Sequence, residues 1–231
     1  MAATKIGKII KSIFIAHDSV KSIFMKYYFK NIIGSINSPF SIHSSVLLKN
    51  EKQIAIGSNV FIGKDTTLNG RSKDHPYGII LGESTYLKGC SYLDAYGGKI
   101  EFKGSSNLSQ FSLVAGHGGI TIGKYVVFGS HCIVLSSNHI FNDLELPYMF
   151  QGDALSPVVI EDNVWVGAGS IVLAGTTIGR NSVIGAGSII TKNVPSNCLY
   201  VNKLEGRIVR ELSNEERNNY AKYRNKLFKI R

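Results

Sequence analysis

Histidines are the side chains in this chain best suited to move a proton near neutral pH, because a neutral imidazole can accept one there. Five of the six lie in the N-terminal segment, in short irregular stretches or beside a repeat corner: His17, His43, His75, His117 and His131. His139 instead begins the longest irregular stretch, just before the most regular part of the chain. A long loop between regular elements is more often functional than accidental. His139 is therefore the first candidate for a general base.

The regular part of the chain repeats every six residues. An aliphatic residue occupies each sixth position, and a small or β-branched residue lies two positions before each later one. This period fits neither an ordinary helix nor an alternating strand, and a fixed short repeat is typical of a solenoid. The aliphatic residue then points into a narrow interior, and the small residue fits the tightening corner. The clearest aliphatic positions are Ile160, Val166, Val172, Ile178, Ile184 and Ile190.

Two motifs carry a resemblance to a known family: VWVGAGS at residues 164–170 and VIGAGSIITK at residues 183–192. They resemble the hexapeptide-repeat acyltransferases, in particular the sugar O-acetyltransferases and the galactoside acetyltransferase group. The resemblance implies an all-β solenoid, a left-handed parallel β-helix that is usually a homotrimer and uses acetyl-CoA as co-substrate. The left hand comes from the resemblance, since parallel crossovers in general favour the opposite hand.

The resemblance also implies roles for individual residues. The family's catalytic histidine occupies the place of His139, which makes His139 the expected base. The tryptophan matching Trp165 lies near the acetyl end of the cofactor, and Trp165 points outward by parity. Small residues along two corners leave room for an extended pantetheine arm, and cations after the last coil suit the phosphates of coenzyme A. The expected cofactor contacts are Trp165, Gly167, Ala168, Ala186, Thr191, Lys192, Arg207 and Arg210.

Three features of the expected site stay open. Many sugar O-acetyltransferases have a Gly-Asn-Pro-Ala-Lys-like turn after the last coil, whereas this chain has YVNKLEG at residues 200–206, which weakens the roles of Arg207 and Arg210. The group that fixes the tautomer of His139 could be Asp143, Glu145 or a main-chain carbonyl. The candidates for acceptor binding are Gln110, His117 and Tyr148.

The chain divides into three segments. Residues 1–37 show apolar residues at helical spacing and are expected to form a helical cap over the open first coil. Residues 38–194 are expected to form the β-helix, with about six coils and a long inserted loop at 135–159. Shorter breaks in phase fall near residues 69–78, 95–99 and 115–119, and insertions of this kind leave a solenoid at its corners, where they can shape a substrate site. Residues 195–231 hold a turn and, from the capping box at 213–216, a final helix.

The formal net charge of +10 lies entirely in the two ends of the chain. Solvated terminal helices explain it, and so does attraction to an anionic cofactor, a polysaccharide or a membrane surface, so peripheral membrane association is one reading of the basic termini. No nucleic acid is expected as a partner. Three cysteines without a pattern indicate neither a disulfide framework nor a zinc site. The absence of a signal peptide or a long apolar run predicts a cytoplasmic protein.

These observations predict an acetyl-CoA-dependent O-acetyltransferase that acts on a hydroxyl of a sugar or of a cell-surface polysaccharide unit. An N-acetyltransferase of an amino sugar would use the same base and cofactor and is the main alternative. A non-catalytic solenoid used for binding or assembly is a further alternative, which failure to bind acetyl-CoA would favour. A zinc enzyme of the γ-carbonic anhydrase type needs three converging histidines, and the spacings here do not match that family.

Overall fold

The structure is a computed structural model that describes residues 27–202. Residues 27–32 are helical, and Phe29 and Ile33 are buried as part of the hydrophobic core. The rest of the expected N-terminal helix, together with His17, lies outside the described residues. So do the expected C-terminal helix, Arg207 and Arg210. Among the described residues, no helix is long and apolar enough to cross a bilayer.

The chain winds as a series of coils, each made of three short strands. The first coil contains β1 (Ser35–Ile36), β2 (Phe40–Ile42) and β3 (Leu47–Lys49), and the second contains β4 (Ile54–Ile56), β5 (Val60–Ile62) and β6 (Thr67–Asn69). The third contains β7 (Ile79–Leu81), β8 (Tyr86–Leu87) and β9 (Tyr92–Asp94), and the fourth contains β10 (Ile100–Phe102), β11 (Asn107–Leu108) and β12 (Leu113–Ala115). The fifth contains β13 (Ile120–Ile122), β14 (Val127–Phe128) and β15 (Ile133–Leu135). A hairpin follows, made of β16 (Ser137–His139) and β17 (Asp153–Leu155). The last coils contain β18 (Val158–Ile160), β19 (Trp165–Val166) and β20 (Ile171–Val172); β21 (Thr177–Ile178), β22 (Val183–Ile184) and β23 (Ile189–Ile190); β24 (Leu199–Tyr200) adds a last strand. Two short 3-10 helices span Glu51–Gln53 and Tyr148–Phe150.

The strands stack into three parallel sheets, one for each side of a triangular prism. The first strands of successive coils form a seven-stranded first sheet, the second strands with β24 form an eight-stranded second sheet, and the third strands form a seven-stranded third sheet. The predicted parallel β-helix is confirmed. It has seven coils rather than about six, because the first coil is built from residues whose repeat is weak in sequence and whose core positions, Ile42 and Leu48, are only partly buried.

The interior is a set of aliphatic columns running up the prism. Every later core position of the repeat is buried, and Leu68, Leu93, Val114, Val134 and Val172 of the third sheet are each 0% exposed. Corner hydroxyls are buried as well, and several hydrogen-bond to main-chain groups, whereas the Thr66 hydroxyl has no partner among the described residues. Ser106, for example, donates to a carbonyl 2.9 Å away at Gly123 and accepts from the amide of Val126 at 2.9 Å. Small residues occupy these corners because a larger side chain would find neither space nor a partner for its polar atom.

The breaks in the repeat all leave the prism at one corner. Residues 70–78, 95–99, 116–119 and 136–157 each join a third-sheet strand to the next first-sheet strand. We call this corner the loop edge. Its loops bond to one another: the Lys73 amide donates to the Gly97 carbonyl at 2.9 Å, the Lys99 amide to the Gly116 carbonyl at 3.1 Å, and the Gly118 amide to Ser136 Oγ at 2.9 Å. The loop edge is therefore one continuous surface.

Candidate active site

The long loop folds back on itself as an antiparallel hairpin that carries His139. Strands β16 and β17 pair Ser137 with Leu155 and His139 with Asp153. The Ser156 amide donates to the Ser136 carbonyl at 3.0 Å, which joins the base of the hairpin to the coil. Since directly paired residues in an antiparallel ladder hold their side chains close together, this register brings an acidic side chain beside His139.

Asp153 is an acidic side chain in direct contact with His139. Its Oδ1 lies 2.9 Å from His139 Nδ1, an ion-pair distance. A carboxylate beside Nδ1 favours the tautomer that carries its proton there, which leaves Nε2 with a lone pair. The side chain of His139 is 73% exposed, so Nε2 is open to an approaching substrate. The pair has the geometry of a general base with its orienting carboxylate.

A second imidazole lies beside the same carboxylate. His117 Nδ1 is 3.5 Å from Asp153 Oδ2, and the side chain is 27% exposed. Its ring is tilted toward Tyr96, with 6.4 Å between the ring centroids. His117 comes from the loop one coil below the hairpin, so the expected acceptor-binding residue and the expected base meet at Asp153.

The tip of the hairpin holds the two acidic residues that sequence reasoning considered as partners of His139. Asp143 Oδ1 accepts from the Glu145 amide at 2.9 Å, and Gln151 Nε2 donates to the Asp143 carbonyl at 2.8 Å. These contacts close the tip on itself. Asp153 was missed because it lies 14 positions after His139 and becomes its neighbour through antiparallel pairing; the polar, turn-containing stretch between them was the available signal for a hairpin.

The corner between the second and third sheets is lined by the small residues expected to hold the cofactor, and we call it the glycine edge. From the second coil upward, one position of each turn has a left-handed backbone, with φ near 60° for Asp65, Cys90, Phe111 and His131 in the lower coils and 70° and 71° for Gly169 and Gly187 in the upper ones. The lower coils show that this turn accepts a side chain. The two upper coils have glycine there, next to the exposed Ala168 and Ala186, so this strip of the edge carries no bulky side chain.

Trp165 lies on the outer face of the second sheet and is 57% exposed. It belongs to a row in which each residue pairs with the next up the sheet: Phe61, Tyr86, Asn107, Val127, Trp165, Val183 and Leu199. Phe61 and Tyr86 are stacked with 6.4 Å between centroids. The second sheet faces away from the loop edge, so Trp165 and His139 of one chain lie on opposite sides of the prism.

The structure places the remaining expected residues on two edges. Thr191 and Lys192 follow β23 and therefore lie on the loop edge above the hairpin, and both are exposed. Gln110 lies on the glycine edge, where its carbonyl accepts from the amide of His131 at 3.0 Å. Tyr148 lies in the hairpin tip and is 61% exposed. One chain thus brings His117, His139, Tyr148 and Lys192 to the loop edge, and Gln110, Gly167, Ala168 and Ala186 to the glycine edge.

The two histidines and the carboxylate of this site are side chains of the kinds that also bind metal ions. Within residues 27–202, no group of three His, Cys, Asp or Glu side chains is arranged to hold a metal ion. The three cysteines, Cys90, Cys132 and Cys198, are free thiols, and burial raises the pKa of the Cys132 thiol.

Comparison with known proteins agrees with this architecture. A family model described as "Bacterial transferase hexapeptide (six repeats)" matches residues 157–192. A galactoside O-acetyltransferase of Lactococcus lactis is 38% identical over 120 residues, which are 51% of this chain and 56% of the relative. A galactoside O-acetyltransferase of Escherichia coli is 31% identical over 145 residues, 62% of this chain and 68% of the relative.

The matches do not extend over whole proteins. The chain spans about half the length of several curated relatives, 56% for the Lactococcus protein and 45% for a putative acetyltransferase of Schizosaccharomyces pombe. Among solved structures, an N-acyltransferase from Bacillus cereus, AntD, aligns over 87% of this chain and 96% of its own, with 17% identity and a TM-score of 0.48. The repeat, the three-sided parallel coil and the similarity to the Escherichia coli protein together place this chain in the hexapeptide-repeat acyltransferase family.

Proposed function

We propose that the chain transfers an acetyl group from acetyl-CoA to a hydroxyl of a sugar or of a cell-surface polysaccharide unit, with His139 as general base. The observation that carries the proposal is the 2.9 Å contact between His139 Nδ1 and Asp153, on an exposed hairpin at the edge of the prism. An imidazole held in this way can take a proton from a hydroxyl as that oxygen becomes a nucleophile.

The reaction needs one proton acceptor that later becomes a donor. His139 Nε2 takes the hydroxyl proton while the acceptor oxygen attacks the thioester carbonyl, and the Asp153 carboxylate stabilises the imidazolium that forms. When the tetrahedral intermediate collapses, the carbon–sulfur bond breaks and the thiolate takes the proton from Nε2. The products are the acetyl ester and free coenzyme A, and His139 returns to its neutral form.

Coenzyme A fits the upper coils. On the glycine edge, residues 167–169 and 185–187 have no side chain larger than alanine, so an extended pantetheine can approach main-chain groups there and bond to them through its amides. Trp165 supplies an exposed flat surface one strand before that edge. Lys192 is an exposed cation that can pair with a phosphate.

Each site is proposed to form between two chains of a homotrimer. The base lies on the loop edge, whereas the glycine edge and Trp165 lie on other sides of the prism, so a second copy must bring its glycine edge to the first copy's hairpin. The hairpin tip is apolar and exposed, with Phe141 at 74%, Met149 at 76% and Phe150 at 66%. Burying these side chains against the neighbouring second sheet would stabilise the assembly by about 25 cal/mol for each Å2 removed from water.

Thiol release from acetyl-CoA tests the activity. We expect release that depends on an added sugar, a mass increase of one acetyl group on that sugar, and loss of the new group under mild alkali, as an ester requires. An alkali-stable acetyl group, formed on amino sugars alone, would show N-acetylation instead. Binding of acetyl-CoA without transfer to any acceptor in the presence of intact His139 would refute the proposal.

A further inference from the structure

A cleft of about 340 Å3 runs down the loop edge below the hairpin. Its walls come from three successive loops of the prism, at residues 73–75, 97–99 and 117–119, together with Leu155 of the hairpin. The general base lies at the upper end of this cleft rather than inside it. The cleft therefore has room for something other than the group that reacts.

The cleft is continuous with the catalytic pair. His117 lines the cleft, and its Nδ1 is 3.5 Å from Asp153, the carboxylate that orients His139. Leu155, at the hairpin end of the cleft, is two residues after Asp153 in the same strand. A ligand lying in the cleft would thus extend directly to the position where a hydroxyl can meet His139 Nε2.

Glycines form the floor of the cleft. Gly97 and Gly119 have φ angles of 94° and 92°, a region that disfavours side chains. A Cβ built at Gly119 would have no described atom within 4 Å, so it would point into open space. At Gly97 the neighbouring atoms are the aliphatic carbons of Lys73, at 3.4 to 3.6 Å from a Cβ position. The floor is therefore flat. The amides and carbonyls of Gly97 and Gly119 are already paired with other main-chain groups, so hydrogen bonds to a ligand must come from the side chains of the walls.

The walls offer hydrogen-bond donors and acceptors but little net charge. Lys73 and Asp74 carry opposite charges, and Lys99 donates to Glu101 at 2.7 Å, so its charge is already matched. Besides the imidazoles of His75 and His117, a dianionic ligand such as a nucleotide diphosphate would meet one lysine without a matched charge, Lys73, and its neighbour in the chain is the Asp74 carboxylate. Tyr96, 42% exposed, lies beside His117 and adds an aromatic surface. Mixed polar groups beside an aromatic ring suit the hydroxyls and the apolar face of a neutral sugar.

The length of the cleft sets the size of the ligand. Stacked strands repeat at about 4.8 Å, so three successive loops and the hairpin above them cover roughly 14 Å, more than one sugar ring. We infer that the cleft binds the sugar residues next to the one that is acetylated, so that the acceptor is a neutral oligosaccharide or a glycan chain. The inference rests on the proposed function and gives its acceptor a chemical class.

Acceptors of increasing length test this assignment. The probes are glucose, maltose and maltotriose, and galactose with its β-linked disaccharide and trisaccharide. We expect kcat/KM to rise with chain length in at least one series. Lys73→Ala or Asp74→Ala removes one hydrogen bond between the cleft wall and a longer acceptor. Each variant should lower kcat/KM for the trisaccharide about five-fold, through a higher KM, and keep kcat/KM for the monosaccharide within about two-fold of wild type. Lys124→Ala, which removes an exposed lysine from another corner of the prism, is the matched control.

A second measurement does not depend on turnover. Modification of lysines by an amine-reactive ester, followed by mass spectrometry, should show Lys73 protected by the trisaccharide and Lys124 unprotected, also in His139→Asn. Three results would overturn the cleft assignment. The first is an equal loss of kcat/KM for short and long acceptors in the variants, and the second is a preference for nucleotide-linked sugars. The third is that no trisaccharide protects Lys73. None of these results would argue against acetyl transfer itself. Failure to acetylate any acceptor would instead refute the proposed function, and the protection of Lys73 would then be the test of whether the cleft binds oligosaccharides.

Discussion

The loop edge and the glycine edge are built from the same repeat but differ in how much their connecting turns vary. On the glycine edge, each turn has the same length and a left-handed residue in the same place, from Asp65 to Gly187. On the loop edge, the connections range from short turns to the 22 residues between β15 and β18 (136–157), and they carry His75, His117, His139 and the cleft. The aliphatic columns behind both edges are equally buried.

The difference shows where this fold tolerates variation. A strand pair on the prism contributes its core side chains and its ladder bonds whatever connects it, so a corner can lengthen without cost to the core. If the glycine edge binds an extended cofactor, as proposed, its uniform turns suit that role. If the loop edge binds the acceptor, its varied loops suit the shaping of a cleft. The predictions below test that division.

The largest effect is expected for His139→Asn, on the loop edge. The variant keeps a polar side chain but has no usable base, so kcat should fall by about 10²- to 10⁴-fold. Affinity for acetyl-CoA, measured by calorimetry, should persist because none of the proposed cofactor contacts uses the His139 imidazole. His131→Asn, on the glycine edge, is the control. If His139→Asn kept more than about a tenth of wild-type turnover while His131→Asn lost it, the base would have to be assigned to the glycine edge.

Mixed trimers test whether the two edges meet between chains. His139→Asn and Trp165→Ala should each be weak alone. In a 1:1 random mixture about a quarter of the interfaces join an intact hairpin to an intact Trp165, so activity should recover to about a quarter of wild type in a cyclic assembly. Light scattering should report three chains. A mixture no more active than the average of its two components would show that each chain completes its own site.

Replacing the orienting carboxylate should have a smaller effect. Asp153→Asn removes the negative charge and adds an amide N–H that can donate to Nδ1, so the tautomer with its proton on Nδ1 is no longer favoured, and kcat should fall by about 10- to 100-fold. Nitrogen chemical shifts of His139, measured by NMR, should report a changed tautomer ratio. Asp143→Asn, in the hairpin tip, should stay within two-fold of wild type; an equal loss in both variants would point to the hairpin fold rather than to the carboxylate.

Lys192→Ala tests the upper part of the loop edge. If the ammonium group pairs with a cofactor phosphate, its removal should raise KM for acetyl-CoA by about 10-fold, equivalent to about 1.4 kcal/mol, and leave the acceptor KM unchanged. Lys124→Ala again controls for surface charge. An unchanged cofactor KM in a folded variant would remove Lys192 from the site.

The smallest effect concerns the support beneath the cleft. Burial and the hydrogen bond from its hydroxyl to Asp94 raise the pKa of Tyr92 to about 12. A raised pKa means that folding favours the neutral phenol, so this stabilisation is complete below pH 10 and is lost as pH rises through 12. Tyr92→Phe should therefore be slightly less stable at neutral pH and less sensitive to alkali above pH 10 in denaturant titrations. Identical pH dependence in both proteins would contradict the assignment.

The repeat made much of the fold predictable. Residues six apart, such as Ile160 and Val166, are buried as the period requires, and the corner hydroxyl of Ser170 is buried with them. The long loop and the exposure of Trp165 also follow from phase and parity alone. A local period constrains each coil by itself, so a single sequence suffices to find it. The first coil was underestimated because its apolar positions are partly exposed and carry a weaker pattern.

The sequence by itself thus determined the coil, its core and the position of His139 at the start of the long loop. The tertiary structure decided which side chains share an edge. Asp153 reaches His139 through antiparallel pairing across the loop, and His117 reaches the same carboxylate from the coil below, while Trp165 turns to the opposite side of the prism. Such contacts depend on how loops of unequal length return to the coil, which no six-residue period encodes, because the period describes only the residues that face the core.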